Sequence, residues 1–421
     1  MASMSLPADQ SAALHVVRRL REHGHQALFA GGCVRDMLLG VPSTDYDVAT
    51  DATPEQVQKL FRLVLLIGAK FGVAMVIINK HKVEVTTFRT EASYSDGRRP
   101  DHVVFSTPQQ DAMRRDFTIN GMFYDPITER VIDYVGGQDD LRRGVIKTIG
   151  SPQERFGEDY LRLIRAVRFS VRLGFAIEPA TAEAIRASAP LISNISGERI
   201  FDELSKMLSK PSAPDALAKL AELNLAQAIV PELFAAEGLW QRGLWRVQRL
   251  ARRNDLLLNL AGMLSELAPA DVQAITRRWG TSNDVRDSLA WLAEHLADWQ
   301  SAGASESSTP PAGAMSLADF KRLMAHGQDF ERLRGLWRQE ELRQTGKLTR
   351  ATRIGRRAKA IDPSKVAPPP FVTGADLKEM GLVEGPALGR VFKAIYEAQL
   401  NEQINSRQVA LARARELIAG S

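Results

Sequence analysis

The spacing of hydrophobic positions changes near residue 151. Between residues 25 and 150, short stretches alternate β-forming residues with polar ones, and brief helical patterns separate these stretches. After residue 151, Leu and Ala recur every three or four residues, as they do on helices with one buried face. The pattern therefore predicts the α+β class, with a mixed head followed by a helical remainder.

Two breaks interrupt the helical remainder. Residues 301–314 are rich in Ser, Ala and Pro, which predicts an exposed linker or loop. Ala367-Pro368-Pro369-Pro370 marks a second break, because proline cannot continue a helix. We therefore expect the helical part to split near residues 301–314.

A paired glycine turn and two alternate carboxylates form the most informative segment. Gly31-Gly32 opens a predicted helix, and Asp45-Tyr46-Asp47 follows it closely along the chain. On a strand, alternation would put both carboxylates on one face, near a turn that lets phosphate approach the backbone. Two Mg²⁺ ions need carboxylate ligands, and N–H groups at a helix start favour phosphate. The segment predicts a site for a metal-bound triphosphate, although most lone Asp-x-Asp pairs are solvated turn residues.

A third carboxylate lies on a predicted strand farther along the chain. The segment Val83-Glu84-Val85-Thr86-Thr87-Phe88 carries Glu84 among β-forming residues. Glu84 would lie beside Asp45 and Asp47 if the two strands are neighbours, whereas on an edge strand it would face solvent. The strand itself does not distinguish these two interpretations.

These residues resemble the nucleotidyltransferases of the DNA polymerase β type, which share a glycine pair, an acid-x-acid strand and a third acid on a later strand. Further segments resemble, in order, the class II tRNA nucleotidyltransferases, the family of the CCA-adding enzymes and the bacterial poly(A) polymerases. These segments are Arg114–Asn120, Glu158–Arg162, Arg165–Phe169 and Gly197–Ile200.

The resemblance extends over residues 25–210 and implies a division of the whole chain. It implies a polymerase β-like catalytic head with a small mixed sheet and helices, followed by an all-helical neck, body and tail. The neck would select the nucleotide and the tail would bind tRNA. The expected bounds are 1–150 for the head, 151–210 for the neck, 211–300 for the body and 315–421 for the tail.

The resemblance also implies an activity, the template-independent addition of CCA to the tRNA 3′ end from CTP and ATP. Two Mg²⁺ ions on Asp45 and Asp47 would promote attack of the RNA 3′-hydroxyl on the α-phosphate, with Glu84 as the third catalytic carboxylate. Gly31 and Gly32 would contact the nucleotide. Arg35 and Asp36 belong to the same segment and are expected to position the triphosphate.

The segment Arg114–Asn120 is expected to bind the ribose. On a helix, Asp116 and Asn120 would share a face one turn apart, so together they could hold the 2′ and 3′ hydroxyls. The resemblance implies ribose recognition for this segment, and we include Arg115 among the nucleotide-binding residues. An ordinary helix turn with its arginines in water is the alternative.

The segment Glu158–Arg162 is expected to choose the base. Asp159 and Arg162 would project side by side from one helix, as an acceptor and a donor. Cytosine and adenine both present an amino donor beside a ring-nitrogen acceptor, so such a pair would accept them and reject guanine and uracil. The resemblance implies this selection of CTP and ATP. A surface salt bridge between the two residues is the commoner fate of such a pair.

Arginines recur at helical spacing after this segment. Arg165, Arg168 and Arg172 lie opposite an apolar set, and a planar fork of donors suits phosphate or the RNA backbone. We assign Arg165 and Arg168 to nucleotide binding, whereas a solvated face remains an alternative for Arg172. The polar stretch 89–100 predicts a mobile loop, which the resemblance connects with addition of the terminal A.

Charge distribution suggests an RNA contact in the tail. The net charge is +5, and the run 343–359 contains seven basic residues and no acidic one. Arg350, Arg353 and Arg357 would share one helical face that could track phosphates, or that is simply solvated. Farther on, a pattern like a helix-hairpin-helix contains Gly385 and Gly389, and its free N–H groups could meet a phosphate.

The remaining composition sets the context and leaves rivals open. One cysteine excludes a disulfide framework and favours a reducing cytoplasm, and no stretch is apolar enough to predict a membrane span. An enzyme that adds only A or only CC, a poly(A) polymerase and an inactive RNA-binding homologue are the alternatives. The segment 67–72 favours the tRNA-specific branch, and the sequence leaves the oligomeric state open.

Overall fold

The computed structural model describes residues 7–43, 45–68, 71–92, 102–301 and 315–419. Most of the predicted loop over residues 89–100 lies outside these residues, as do residues 69–70 and nearly all of the predicted linker over residues 301–314. The chain forms two compact units, Met1–Pro231 and Glu232–Ser421. The finer division into head, neck, body and tail stays a prediction.

A mixed sheet forms the centre of the first unit, with the strand order β3-β4-β5-β2-β1-β8-β9. Strands β2 and β5 run parallel, whereas the other neighbours in this sheet run antiparallel. Strands β6 and β7 form an antiparallel pair, and β10 and β11 form a short parallel pair. The strands are β1 Ala27–Ala30, β2 Asp47–Thr50, β3 Val64–Gly68, β4 Val73–Ile78, β5 His81–Thr87, β6 Arg89–Ala92, β7 His102–Phe105, β8 Phe123–Asp125, β9 Arg130–Ile132, β10 Val145–Ile146 and β11 Ala176–Ile177.

Helices accompany this sheet and follow it in the first unit. They are α1 Ala8–Glu22, α2 Gly32–Leu38, α3 Pro54–Leu60, α4 Pro108–Met113, α5 Gly137–Arg143, α6 Pro152–Glu158, α7 Leu161–Leu173, α8 Pro179–Ser188, α9 Gly197–Leu208, α10 Ala213–Glu222 and α11 Leu225–Ile229. Thr53 and Thr107 start α3 and α4 with capping boxes, and a proline occupies the first turn of each helix. The mixed head predicted from the hydrophobic spacing is confirmed.

The described part of the second unit is helical. Its helices are α12 Leu239–Leu250, α13 Leu256–Leu264, α14 Pro269–Arg278, α15 Asn283–Ser301, α16 Leu317–Met324, α17 Gln328–Thr345, α18 Thr349–Ala360, α19 Gly374–Glu379, α20 Pro386–Leu400 and α21 Arg407–Ala419. Between α18 and α19 the chain contains only a short 3-10 turn, Pro363–Lys365, which agrees with the predicted proline break. Among the described residues, none of the helices combines the length and apolarity needed to cross a bilayer.

Separate apolar clusters stabilise the two units. In the head, Leu28, Ala49, Phe88 and Phe123 belong to one buried cluster. The end of the chain has its own buried cluster, which joins α19, α20 and α21 through Val372, Leu377, Val391, Ile395, Ile404, Ala410 and Ala414. The head and the C-terminal helices therefore each have a buried apolar cluster of their own.

A buried ion pair connects α12 and α17 in the second unit. Arg246 and Glu340 are both 0% exposed, and their N–O distance is 2.6 Å. Arg246 also contacts Glu266, and Glu340 accepts further bonds from Arg343 and Gln344. Removal of one partner leaves the other charge desolvated, and this cost exceeds the net gain from the intact pair.

Glu340→Ala is therefore expected to lower the free energy of unfolding by about 3 kcal/mol, because Arg246 keeps only Glu266. Chemical denaturation followed by circular dichroism measures the change. Glu331→Ala on the same helix is the control, because Glu331 is 61% exposed in its pair with Arg334. The control should lose less than about 1 kcal/mol. Equal losses would contradict a special role of the buried pair.

Candidate active site

A cavity of about 610 Å³ in the first unit collects the charged residues that the sequence pointed to. Arginines outnumber carboxylates in its wall, which suits a ligand with several negative charges. The carboxylates are Asp36, Asp45, Asp47, Glu84, Asp116 and Asp159. The arginines are Arg35, Arg89, Arg114, Arg115, Arg162, Arg165, Arg168, Arg172 and Arg199. The remaining predicted nucleotide-binding residues, Gly31, Gly32 and Asn120, also line it.

Two of the carboxylates, Asp47 and Glu84, lie on neighbouring strands of the central sheet, and Asp45 lies two residues before Asp47. Val48 of β2 pairs with Val85 of β5, so Asp47 and Glu84 occupy adjacent positions on two parallel strands. Strand β2 begins only at Asp47, so the prediction of a strand across Asp45-Tyr46-Asp47 is wrong for its first two residues. Tyr46 is nevertheless buried, whereas Asp45 and Asp47 both reach the cavity. Glu84 lies on an inner strand and its side chain is exposed at the cavity.

Negative charge accumulates where Asp45, Asp47 and Glu84 line the cavity. Burial and, to a smaller extent, the nearby charges of Glu84 and Asp45 raise the pKa of Asp47 to about 6, against the opposing effect of Arg115. A bound cation would relieve this repulsion. In the described part of the chain, no group of three or more Asp, Glu, His or Cys side chains forms a complete metal cage. The donor set fits Mg²⁺, which usually binds one or two carboxylates and takes its other ligands from water and phosphates.

The glycine turn stands beside these carboxylates because its backbone has a conformation reserved for glycine. Gly31 has φ 74° and ψ −128°, and it precedes the first residue of α2. A Cβ atom on Gly31 would lie 3.0 Å from Nη1 of Arg115. Cys33 is buried in the same turn, and burial together with Asp47 raises the pKa of its thiol to about 12. Cys33 therefore acts as a small packed side chain, not as a nucleophile.

Arg35 is held inside the wall by side chains from two segments. It is 2% exposed, and its guanidinium donates to Asp36 at 2.8 Å and to Oδ1 of Asn120 at 2.7 Å. The other oxygen of Asp36 accepts a bond from Arg172 at 3.0 Å. Asp36 thus orients two arginines of the cavity and is itself buried.

Asp116 and Asn120 contact one another, but they do not lie on an α-helix. Helix α4 ends at Met113, and only Thr118–Asn120 forms a short 3-10 turn. The predicted helix is wrong because Phe117 forms a β-bridge with Thr148, which takes the backbone away from a helical course. Nδ2 of Asn120 still donates to Asp116 at 3.1 Å.

A guanidinium group on α7 keeps Asp116 ionised. Arg165 donates to Oδ2 of Asp116 from Nε at 2.9 Å and from Nη2 at 2.6 Å. Burial alone would raise the pKa of Asp116, but Arg165 and Asn120 outweigh burial and lower it to about 2. Asp116 therefore stays a pure hydrogen-bond acceptor over the physiological pH range.

Asp159 and Arg162 both line the cavity but belong to different local structures. Asp159 lies between α6 and α7, whereas Arg162 lies in the first turn of α7. The prediction that they project from one helix is wrong, because the backbone is extended at Asp159, with φ −156° and ψ 105°. Both oxygens of Asp159 accept bonds from Arg199, at 3.2 and 2.7 Å. Arg162 instead donates to Glu158 and to the carbonyl oxygens of Arg155 and Arg114.

Several residues that organise the cavity carried little signal in the sequence. Asp111 is 1% exposed and holds Arg114 and Arg115, and its helical spacing to both arginines could have revealed it. Glu203 is 2% exposed and accepts a bond from Arg168 at 2.6 Å, across 35 residues of sequence. The sequence around Glu203 and around Arg168 gives no sign that these two distant residues form a pair.

The predicted RNA-binding residues lie in the second unit. Helix α18 contains all three predicted arginines at the spacing of one helical face, but Arg350 and Arg357 are half-buried, whereas Arg353 is exposed. Arg350 stacks 4.5 Å from the ring centre of Trp299, and Arg357 stacks 4.4 Å from that of Phe320. The guanidinium groups of these two arginines thus each lie against an aromatic ring.

The predicted pair of helices near the C-terminal end is present. Gly381 has φ 95° in the turn after α19, and Gly385 precedes Pro386 at the start of α20. Gly385 and Gly389 are exposed, and a Cβ atom at either position would meet no atom within 4 Å. The free N–H predicted at Gly389 is wrong, because Gly389 lies within α20 and its N–H donates to the carbonyl oxygen of Gly385 at 3.3 Å.

Comparison with known proteins gives consistent matches along the chain. Residues 27–147 match the family described as the poly A polymerase head domain. Residues 174–237 match the family described as a probable RNA and SrmB-binding site of polymerase A. The two matches cover the cavity-lining sheet and part of the helical region that follows it.

Similar proteins and a similar structure cover most of the chain. The CCA-adding enzyme of Lactococcus lactis subsp. cremoris (strain MG1363) is 32% identical over 413 residues, which are 96% of each chain. The CCA-adding enzyme of Geobacillus stearothermophilus is 40% identical over 288 residues, or 68% of this chain and 70% of the relative. The crystal structure of the Bacillus stearothermophilus CCA-adding enzyme in complex with CTP superposes with a TM-score of 0.74 at 30% identity, covering 99% of this chain and 100% of that one.

The two glycines of the turn should respond differently to an added methyl group. Gly31→Ala is expected to lower the free energy of unfolding by about 2 kcal/mol, because its positive φ strains alanine and its Cβ would crowd Arg115. Gly32→Ala is the control, since its Cβ would lie 3.6 Å from Arg35, an ordinary contact. The control should change stability by less than about 1 kcal/mol. Thermal and urea denaturation compare the two, and equal effects would refute this account of the turn.

Proposed function

This chain belongs to the family of the CCA-adding enzymes, and we propose how its cavity adds CCA to the 3′ end of tRNA from CTP and ATP. It is a nucleotidyltransferase. The observation that carries the mechanism is the meeting of strand carboxylates, a glycine turn and an arginine-rich wall in one cavity. Each part of the cavity corresponds to one part of the reacting nucleotide.

Asp45 and Asp47 would hold Mg²⁺, with Glu84 beside them. The raised pKa of Asp47 and the repulsion among the three carboxylates support this assignment. When bound, Mg²⁺ supplies a lowered pKa for the RNA 3′-hydroxyl and neutralises charge on the leaving pyrophosphate. Asp45, Asp47 and Glu84 would contribute negative charge at the positions where the metal is held.

The triphosphate would lie between the glycine turn and the arginines. Gly31 and Gly32 leave the backbone accessible, whereas Arg35 and Arg115 are fixed by partners and need little reordering when a ligand arrives. Arg165 and Arg168 of α7 extend the same positive wall. Preorganised charge of this kind stabilises the charge that phosphoryl chemistry develops.

The nucleoside would be recognised by the segments around Asp116 and Asp159. Asn120 and the ionised Asp116 offer acceptors to ribose hydroxyls. Asp159 would accept from the amino group of cytosine or adenine, and Arg162 would donate to the adjacent ring nitrogen. Arg199 donates to both oxygens of Asp159 and so orients this carboxylate, which adds Arg199 to the residues that would determine base choice.

The tRNA would be bound in addition by the second unit. On α18 we now assign the phosphate contacts to the exposed Arg353, while Arg350 and Arg357 support the helix through their aromatic contacts. The exposed Gly385 at the start of α20 supports a second contact with phosphate, since the first N–H groups of a helix favour anions. A single cysteine agrees with a reducing compartment such as the cytoplasm.

The activity itself is tested by incorporation of each labelled nucleoside triphosphate, with Mg²⁺, into tRNA that ends at the discriminator base, at C or at CC. We expect C, then C, then A, with no further growth. Incorporation of A only onto the CC-ended tRNA would indicate an A-adding enzyme, and long A tracts on any RNA would indicate a poly(A) polymerase.

Asp45→Ala and Asp47→Ala are each expected to reduce incorporation by at least about a thousandfold, because the remaining carboxylates cannot hold the metal in place. Steady-state incorporation with Mg²⁺ measures the loss, and circular dichroism checks the fold. Asp51→Ala is the control, since Asp51 lies at the far end of β2 and contacts His25. A double variant of Asp45 and Asp47 that still incorporates nucleotide would refute the assignment.

Arg162→Ala is expected to relax base choice and to allow GTP and UTP to be incorporated more efficiently relative to CTP and ATP. One base contact is worth about 1–3 kcal/mol of discrimination, so the ratio of efficiencies should fall by about tenfold or more. Competition among the four labelled nucleotides measures this ratio. Arg186→Ala on α8 is the control, because Arg186 is half-buried, contacts Glu183 and Glu222, and does not line the cavity. Strict selectivity in the Arg162 variant would exclude Arg162 from the base-reading pair.

A further inference from the structure

One aromatic ring in the cavity wall touches three guanidinium groups. The centre of the Phe169 ring lies 5.2 Å from Cζ of Arg35, 5.2 Å from Cζ of Arg165 and 4.3 Å from Cζ of Arg168. Phe169 is 5% exposed and lines the cavity beside these arginines. Such distances are within the range of cation–π attraction, which strengthens when the cation is shielded from water.

Each of the three arginines also has an anionic or polar partner away from the ring. Arg35 is held by Asp36 and Asn120, Arg165 by Asp116, and Arg168 by Glu203. Glu203 also lies 3.9 Å from Arg165, so it contacts two of the three arginines, but none of these partners contacts all three. Phe169 is the group that all three arginines share.

Like charges at such short range repel one another, and the repulsion is strong where water is excluded. The negative face of an aromatic ring attracts each cation without neutralising its charge. A carboxylate in the same position would hold the arginines but would cancel part of the positive field that a triphosphate meets. A ring therefore suits a wall that must stay positive.

We propose that Phe169 is a positioning residue for nucleotide binding, and that it gathers Arg35, Arg165 and Arg168 into one cationic cluster facing the nucleotide. The proposal rests on the proposed function, because it takes these arginines as ligands of CTP and ATP. Phe169 itself carries no charge and need not touch the reacting atoms.

An ordinary role in the hydrophobic core is the competing explanation. Phe169 packs edge-on against Phe117, with ring centres 5.8 Å apart and an interplanar angle of 78°. Phe117 is 0% exposed and is not among the rings that contact a guanidinium in the described part of the chain. The two phenylalanines thus share a packing environment but differ in their contacts with arginine, which makes Phe117 a matched control.

The test compares Phe169→Leu, Phe169→Tyr and Phe117→Leu in the full-length enzyme, by the KM and kcat for CTP and ATP on tRNA ending at C or CC. Phe169→Leu keeps an apolar side chain but removes the ring, so KM for both nucleotides should rise by about tenfold or more. Because the cluster contacts charge that is present before and during reaction, kcat should change by less than about threefold. Phe169→Tyr keeps the ring and should restore KM to within about threefold of the wild type.

The control and the remaining outcomes separate the explanations. Phe117→Leu should lower the melting temperature while leaving KM close to the wild-type value. An unchanged KM in Phe169→Leu, or an equal rise in both leucine variants, would overturn the proposal. If Phe169→Leu does not fold, Phe169→Met takes its place with the same criterion. A wild-type enzyme that incorporates no nucleotide would refute the proposed function, whereas an active wild type with an unaffected Phe169 variant refutes only this inference.

Discussion

The first unit depends on charge pairing that holds arginines close together around one cavity. Burying a charge costs several kcal/mol unless a partner of opposite sign and good geometry accompanies it. Here the partners are buried carboxylates. Asp36 pairs with Arg35 and Arg172, and Glu203 pairs with Arg168. The pairs place the donors before a ligand arrives. The ordering cost is therefore met during folding and does not weaken binding.

The division of charge within the cavity follows from secondary structure. The sheet contributes carboxylates, because its parallel neighbours β2 and β5 bring Asp47, the first residue of β2, beside Glu84 in the middle of β5. Arginines come from a helix, α7, on which residues three and four apart share a face. Two inner strands of the sheet and one face of α7 thus present opposite charges to the same cavity. A metal-bound triphosphate is complementary to this arrangement, because its cations would face the carboxylates and its phosphate oxygens would face the arginines.

Local patterns in the sequence predicted more of this structure than distant ones did. Hydrophobic spacing separates the mixed head from the helical remainder, and the spacing of Arg165, Arg168 and Arg172 places them on one helix. The helix expected across Asp116 and Asn120 fails, because Phe117 pairs with Thr148 and long-range pairing overrides local spacing. The pairs Asp36 with Arg172 and Asp159 with Arg199 join residues 136 and 40 positions apart. No periodicity within a single sequence encodes such contacts.

The separate partners of Asp159 and Arg162 bear on the proposed reading of a base by this pair. Had the two residues formed a salt bridge with each other, each would have satisfied the hydrogen bonds that a base must supply or accept. Instead Arg199 holds Asp159 and Glu158 holds Arg162, so the two side chains are fixed independently and both reach the cavity. A carboxylate and a guanidinium held apart present an acceptor beside a donor. Discrimination then follows from the penalty of leaving these groups unpaired against the wrong base, since unpaired polar groups cost more than good pairs gain.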